Sequence, residues 1–321
     1  MMKRLTVLLT ILFLMVLCVS AIPVGAKSLT IAMIPKALDN PVFLDAKDGG
    51  EKAAKELGVE FIWTGPTTAD AAGQVTVIEG LIQKKVDGII VSCCDAGALK
   101  DVIDRAVAAG IVVATFDSDS PESKRAFYCG TDNYKAGRAC GEYMIQLAKE
   151  RKLQNSTLEC AILTGGLGAF NLNERIRGFK EACQGQLKLK YLSTMACDDD
   201  INRAVELTEQ CIKAHPNLKA FFFAGAWPFF SKPGSMPNLK AWVKKGGLSV
   251  SMDTFYPVLV AMKDGLVNAL VGQDFVAMGD LGVRRIVDVI NGKSVPKFID
   301  TGLEKVDKSN FDKVFASKKP W

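Results

Sequence analysis

Several apolar runs in this chain end in a side chain that hydrogen-bonds through a flat polar group. Asp117 follows Ile111 to Phe116, Asp253 follows Met252, and Gln273 follows Val271. Asn171 and Arg175 stand just beyond the turn Thr164-Gly165-Gly166, and Lys36 and Asn40 just beyond a run ending at Ile34. Carboxylates, amides and cations of this kind recognise hydroxyl groups. A carboxylate can accept two hydroxyl hydrogen bonds, each contributing about 1.5–3 kcal/mol where water is excluded. Phe43 and Trp227 add flat apolar faces that suit the C–H side of a sugar ring or a similar solute. The set suits recognition better than turnover. No Gly-x-Ser-x-Gly elbow, HExxH or P-loop occurs, so the chain is not expected to be an enzyme. The single histidine, His215, precedes Pro216 where a helix should end, and no CxxC pair is present, so no metal site is expected. No cofactor is expected either, because Gly166-Leu167-Gly168 lacks the third glycine of a dinucleotide loop.

Each of these residues also has a structural reading. Asn40-Pro41 reads as a cap with proline at the first helical position, which would leave Phe43 to the core. Asp117 reads equally as a loop carboxylate capping the next turn. Arg175 and Arg177 lie two apart, hence on different helix faces, so one can meet a ligand while the other goes to solvent or an ion pair. Trp227-Pro228-Phe229-Phe230 also reads as core.

The elements that must position these groups follow from periodicity. From Lys27 onward short apolar runs alternate with amphipathic ones. Strands are expected at 29–34, 59–64, 88–92 and 112–116, with helices at 43–57, 70–85 and 97–109. After Gly130-Thr131-Asp132-Asn133 a second series begins: helix 134–150, strand 158–164, helix 172–184, strand 188–194, helix 201–214, strand 219–224 and strand 248–252. Alternation of this kind calls for α/β architecture with parallel sheets covered by helices on both faces. The length favours two doubly wound lobes over one very wide sheet. Ligands of open parallel sheets sit beyond the carboxyl ends of the strands, where the polar residues above fall.

The N-terminus has Lys3 and Arg4, an uncharged apolar run from Leu5 to about Val19, then Val24-Gly25-Ala26. This is the order of a cleavable export signal, residues 1–26, and the run is shorter than the roughly 20 residues that span a bilayer. Cys18 raises a lipid anchor as the alternative, although Leu17 stands before it where a small residue is expected. The formal charge of +5 does not imply nucleic-acid binding, because acids and bases are interspersed. Cysteines 93, 94, 129, 140, 160, 183, 197 and 211 are even in number and follow an export signal, so some disulfides are plausible, with no connectivity assignable; small buried hydrophobes are the alternative.

Taken together, five segments resemble the periplasmic-binding-protein type I group, specifically its ribose-binding-like sugar-binding members. They are Asn40-Pro41-Val42-Phe43, Thr115-Phe116-Asp117, Gly130-Thr131-Asp132-Asn133 with Gly137, Asn173-Glu174-Arg175 ahead of Gly178-Phe179, and the late Asp253 and Gln273. The resemblance implies that Asn40 and Phe43 contact sugar, that Val42 replaces a first aromatic for which Trp227 compensates, and that Asp117, Arg175, Asp253 and Gln273 bond hydroxyls. Ser118 stands where the family often has arginine, with Lys36 supplying the missing cation. The same resemblance implies an N-terminal lobe of residues 27–131 plus 274–300 and a C-terminal lobe of 132–273 plus 301–321. Hinge closure over a small sugar or polyol, delivery to an ABC transporter permease, a periplasmic location and a monomeric state are the expectations. A chemoreceptor is a further possible partner, and a sugar-modifying enzyme is the competing reading.

Overall fold

The computed structural model describes residues 28–318 and 320; the expected export signal and Cys18 lie outside them. Two six-stranded sheets carry the chain. The first contains β1 (Thr30–Ile34), β2 (Glu60–Trp63), β3 (Gly88–Val91), β4 (Val112–Phe116), β5 (Tyr128–Gly130) and β11 (Phe298–Asp300), in the spatial order β11-β5-β4-β3-β1-β2, all parallel. The second contains β6 (Thr157–Thr164), β7 (Lys188–Ala196), β8 (Leu218–Phe223), β9 (Leu248–Met252), β10 (Ala269–Gly272) and β12 (Glu304–Val306), in the order β12-β10-β9-β8-β6-β7. Only β12 runs antiparallel to its neighbour. Central strands such as Gly-Ile-Ile-Val of β3 are buried throughout, as strands covered on both faces must be.

Ten α-helices occur among the described residues: α1 (Val42–Leu57), α2 (Ala71–Lys84), α3 (Ala96–Ala108), α4 (Asn133–Glu150), α5 (Phe170–Cys183), α6 (Ile201–Ala214), α7 (Pro237–Lys244), α8 (Tyr256–Lys263), α9 (Phe275–Ile290) and α10 (Phe311–Ser317). Aspartates set several starts. Asp70, Asp95, Asp132, Asp200 and Asp274 accept backbone N–H groups of α2, α3, α4, α6 and α9, satisfying donors that have no partner inside a helix.

The chain passes between sheets after β5, after β10, and again between β11 and β12. Helix α4, launched from the first sheet, packs on α5, β9 and β10, whereas α9, launched from the second, packs on α1, β3, β4 and β5. Glycines make both helix pairs possible. A Cβ on Gly137 of α4 would overlap the carbonyl of Arg175, and one on Gly279 of α9 would overlap the carbonyl of Ala46. These close contacts fix α1 and α5, at whose N-terminal ends Asn40, Phe43, Asn171 and Arg175 stand.

The plausible disulfides are not formed: all eight described cysteines are unpaired thiols, seven of them buried. Cys129, Cys140, Cys160, Cys183 and Cys211 sit on strands or helices and Cys93, Cys94 and Cys197 in the loops after β3 and β7; the buried seven act as small hydrophobes. Burial pushes the Cys94, Cys129 and Cys183 thiols each up to about 12, far from the reactive thiolate.

Candidate ligand cleft

The carboxyl ends of both sheets face one cleft. From the first lobe it is lined by Lys36 after β1, Asn40, Val42 and Phe43 at the start of α1, Asp117 after β4, and Phe275 at the start of α9. From the second it is lined by Asn171 and Arg175 of α5, Asp199 beyond β7, Trp227 and Phe230 beyond β8, Asp253 after β9, and Gln273 after β10. About 30 Å³ lies between these side chains, the room of roughly one water molecule. A solute larger than a few atoms would need the two walls to part.

The polar groups form one chain of bonds across the lobes. Lys36 Nζ donates to Asn171 Oδ1 at 3.0 Å and lies 3.8 Å from Asp117 Oδ2. Asn171 Nδ2 donates to Asp117 Oδ1 at 3.1 Å, and Ser92 Oγ to Asp117 Oδ2 at 2.7 Å. Arg175 donates from Nε to Asn133 Oδ1 (2.8 Å), from Nη1 to the carbonyl of Ala224 (2.9 Å) and from Nη2 to Gln273 Oε1 (2.7 Å). Gln273 Nε2 in turn donates to Asp253 Oδ1 at 2.8 Å. Buried charges require such pairing, since an isolated one costs several kcal/mol. Asn171 and Arg175 are four apart and share a face of α5, while Arg177 turns outward to Glu174 (2.6 Å) and Glu181 (3.2 Å).

Asp117 and Asp253 occupy equivalent places. Each follows the fourth strand of its lobe in left-handed backbone, with φ of 53° and 73°. Each main-chain N–H bonds the next strand over, at Cys129 and Val271. Left-handed backbone is costly for a non-glycine residue, and here it turns both carboxylates off the strand axis into the cleft.

Nine of the ten residues expected from sequence line the cleft. Ser118 does not. With Asp117 turned inward, Ser118 is fully buried away from the lining, its Oγ has no hydrogen-bond partner, and its carbonyl accepts from Cys93 N. Asn40 lines the cleft while its Oδ1 accepts from Val42 N at 3.3 Å, but α1 starts one residue later than the capping reading expects, with Pro41 rather than Asn40 at its cap position. Phe43 likewise lines the cleft and packs edge-on to Phe116 and Phe275. In the cluster Trp227–Phe230, Trp227 and Phe230 face the cleft, whereas Phe229 packs on Phe223.

Sequence reasoning missed Asp199, Phe230 and Phe275 as lining residues, and Gln74 and Ser92 behind them. Gln74 Nε2 donates to the carbonyls of Pro35 (3.0 Å) and Ser92 (2.7 Å), tying together the two turns that carry Lys36 and the Asp117 partner. A signal for Phe275 existed: Gln273-Asp274-Phe275 repeats the polar-Asp pattern of Thr131-Asp132-Asn133 at the first crossing.

Burial pushes the carboxyls of Asp253 and Asp199 above the ordinary range. Arg175 and Gln273 partly offset this for Asp253, and Lys36 for Asp199. Raised values in the folded state favour the protonated fold. Their contribution to stability is therefore full at acid pH and lost as pH rises from the ordinary carboxylate value through the raised ones. Hydroxyl recognition has the opposite sign, since the ionised acceptors bond most strongly. Affinity for a hydroxylated ligand should therefore fall on acidification, beginning above the usual carboxylate range, and titration calorimetry across pH measures it.

Residues 31–294 match the model of the periplasmic binding protein domain. The chain belongs to the periplasmic binding protein family, in the ribose-binding-like group of its type I members. It is 28% identical over 314 residues to the ribose import binding protein RbsB of Bacillus subtilis (strain 168), covering 94% of this chain and 98% of the relative. A crystallised ABC transporter solute binding protein from Burkholderia graminis C4D1M, in complex with D-arabinose, is 35% identical with a TM-score of 0.77, covering 92% of this chain and 99% of that one. The solved XylFII-LytSN complex contains a chain 29% identical with a TM-score of 0.77, covering 88% of this chain and 99% of its own.

Proposed function

We propose that this protein is an extracytoplasmic solute-binding protein that captures a small sugar or polyol between two closing lobes and delivers it to an ABC importer. The observation that carries this reading is the chain of buried polar side chains from both lobes, each able to exchange its present partner for a hydroxyl. In that exchange Lys36, Asn40, Asn171, Arg175 and Gln273 donate, Asp117 and Asp253 accept, and Phe43 and Trp227 cover the apolar faces of the ring. A ligand that touches both lobes binds the closed form preferentially, and that difference is what a permease reads. The named relatives are binding proteins, one bound to D-arabinose and one named for ribose import, which supports a monosaccharide over a larger solute.

The export signal read at residues 1–26 supports a periplasmic location, with release after Ala26 rather than an anchor at Cys18. The chain crossings support a first lobe of residues 27–131 plus about 274–300 and a second of 132–273 plus about 301–321. That a similar chain is found in the XylFII-LytSN complex supports a further protein partner, a chemoreceptor, alongside the permease.

A thermal-shift screen of pentoses, hexoses, deoxysugars and polyols identifies the ligand, because tight binding raises the melting temperature by mass action. Small-angle scattering then tests closure. Saturation with the identified sugar should reduce the radius of gyration of a monomeric particle, and an unchanged radius would remove the closing mechanism from the proposal.

A further inference from the structure

Asp198-Asp199-Asp200 is a run of three acids, and the fold gives each a different task. Asp198 is exposed and pairs with Arg203 at 3.0 Å. Asp200 caps α6 by accepting from Arg203 N at 2.6 Å. Asp199 alone of the three lines the cleft, where it meets the indole of Trp227 on its own lobe and the Lys36 charge from the opposite lobe.

The turn after β6 is shaped around this group. A Cβ on Gly165 would stand 2.7 Å from Asp199 Oδ1 and 2.8 Å from the Trp227 ring, so only glycine lets the carboxylate and the indole pack there together. Asp199 is also held in left-handed backbone, φ 59°, directly after Asp198 at φ 53°. Two successive non-glycine residues in that region need surrounding structure to hold them. A carboxylate has about four acceptor positions, of which a neighbouring indole N–H could fill only one.

We infer that Asp199 is a specificity-determining ligand residue, a third carboxylate that accepts a hydroxyl hydrogen bond from the bound sugar. The inference rests on the sugar-binding reading above. Asp117 and Asp253 are already tied into the side-chain network through Asn171, Ser92 and Gln273. Asp199 takes no part in those bonds and has capacity to spare. A site that holds a buried acceptor for one hydroxyl discriminates strongly against the sugar lacking it, because the acceptor is then left desolvated and unpaired.

The test uses the full-length mature protein with D-ribose and D-arabinose as probes, each with its series of mono-deoxy derivatives, titrated against wild type, Asp199→Asn and Trp227→Phe. For the sugar that binds, Asp199→Asn should weaken affinity by roughly 10- to 100-fold. For one mono-deoxy derivative, wild type and Asp199→Asn should bind alike, because the bond is already missing from the ligand. Trp227→Phe keeps the ring and removes the indole N–H, and should preserve discrimination against that same derivative. A uniform loss across the whole deoxy series in Asp199→Asn would overturn the inference and leave Asp199 as a brace for Trp227. Binding of neither sugar nor any derivative to wild type would overturn the inference for these pentoses together with the pentose form of the proposed function, which separates that failure from the uniform-loss result.

Discussion

Arg175→Ala is expected to lower sugar affinity by at least about 30-fold and to destabilise the ligand-free protein by about 3–5 kcal/mol. The guanidinium is almost fully buried and donates to Asn133, Ala224 and Gln273 while standing 3.9 Å from Asp117. Truncation removes all of these at once. The Ala224 carbonyl and Asn133 Oδ1 lose a donor, and Gln273 loses the partner that orients it toward Asp253. Arg175→Lys keeps the charge but reaches fewer acceptors, because an ammonium lacks the planar fork that spans them. It should recover only part of the loss. Urea unfolding and calorimetric titration separate the two effects. An affinity within twofold of wild type would show that the residue does not touch the ligand.

Gly279→Ala should cost about 3 kcal/mol, at the upper end of the range for overpacking. In an isolated helix the same substitution stabilises, since glycine is roughly 1 kcal/mol worse than alanine. The sign reverses here because the new methyl would overlap the carbonyl of Ala46 on α1, a backbone atom with no rotamer to escape into. Gly80 of α2 is the control. Nothing lies within 4 Å of a Cβ built there, so Gly80→Ala should be stabilising by a few tenths to about 1 kcal/mol. Chemical denaturation of the pair measures the difference; a Gly279→Ala midpoint equal to that of Gly80→Ala would mean that α1 and α9 can slide apart at no cost.

Much of this fold is written in the primary structure because its central strands are apolar on both faces and stop abruptly. β4 and β9 end where Asp117 and Asp253 begin, and those carboxylates could be singled out for that reason. Helix α6 likewise starts and ends where its apolar spacing and His215 indicate. The illegible parts have physical causes. β7 is an edge strand with mixed exposure, so its apolar run fades before its backbone pairing does, and Asp199 was lost beyond the apparent end. β5, β11 and β12 have three residues each, too few for any period to register. Ser118 was misjudged because adjacency in sequence says nothing about a reversal of backbone hand at Asp117. The cysteines were ambiguous in principle, since a thiol in an apolar strand and half of a disulfide look identical until the neighbours are known.

The exchange of α4 and α9 between lobes bears on how this polypeptide can come to exist at all. The first 131 residues emerge from synthesis carrying a sheet whose covering helix, α9, and outermost strand, β11, have yet to be made. Until residue 290 is present, α1 has a bare flank where Gly279 should sit. Completion of either lobe thus depends on the other, since β11 of the first sheet and β12 of the second are the last strands in the chain.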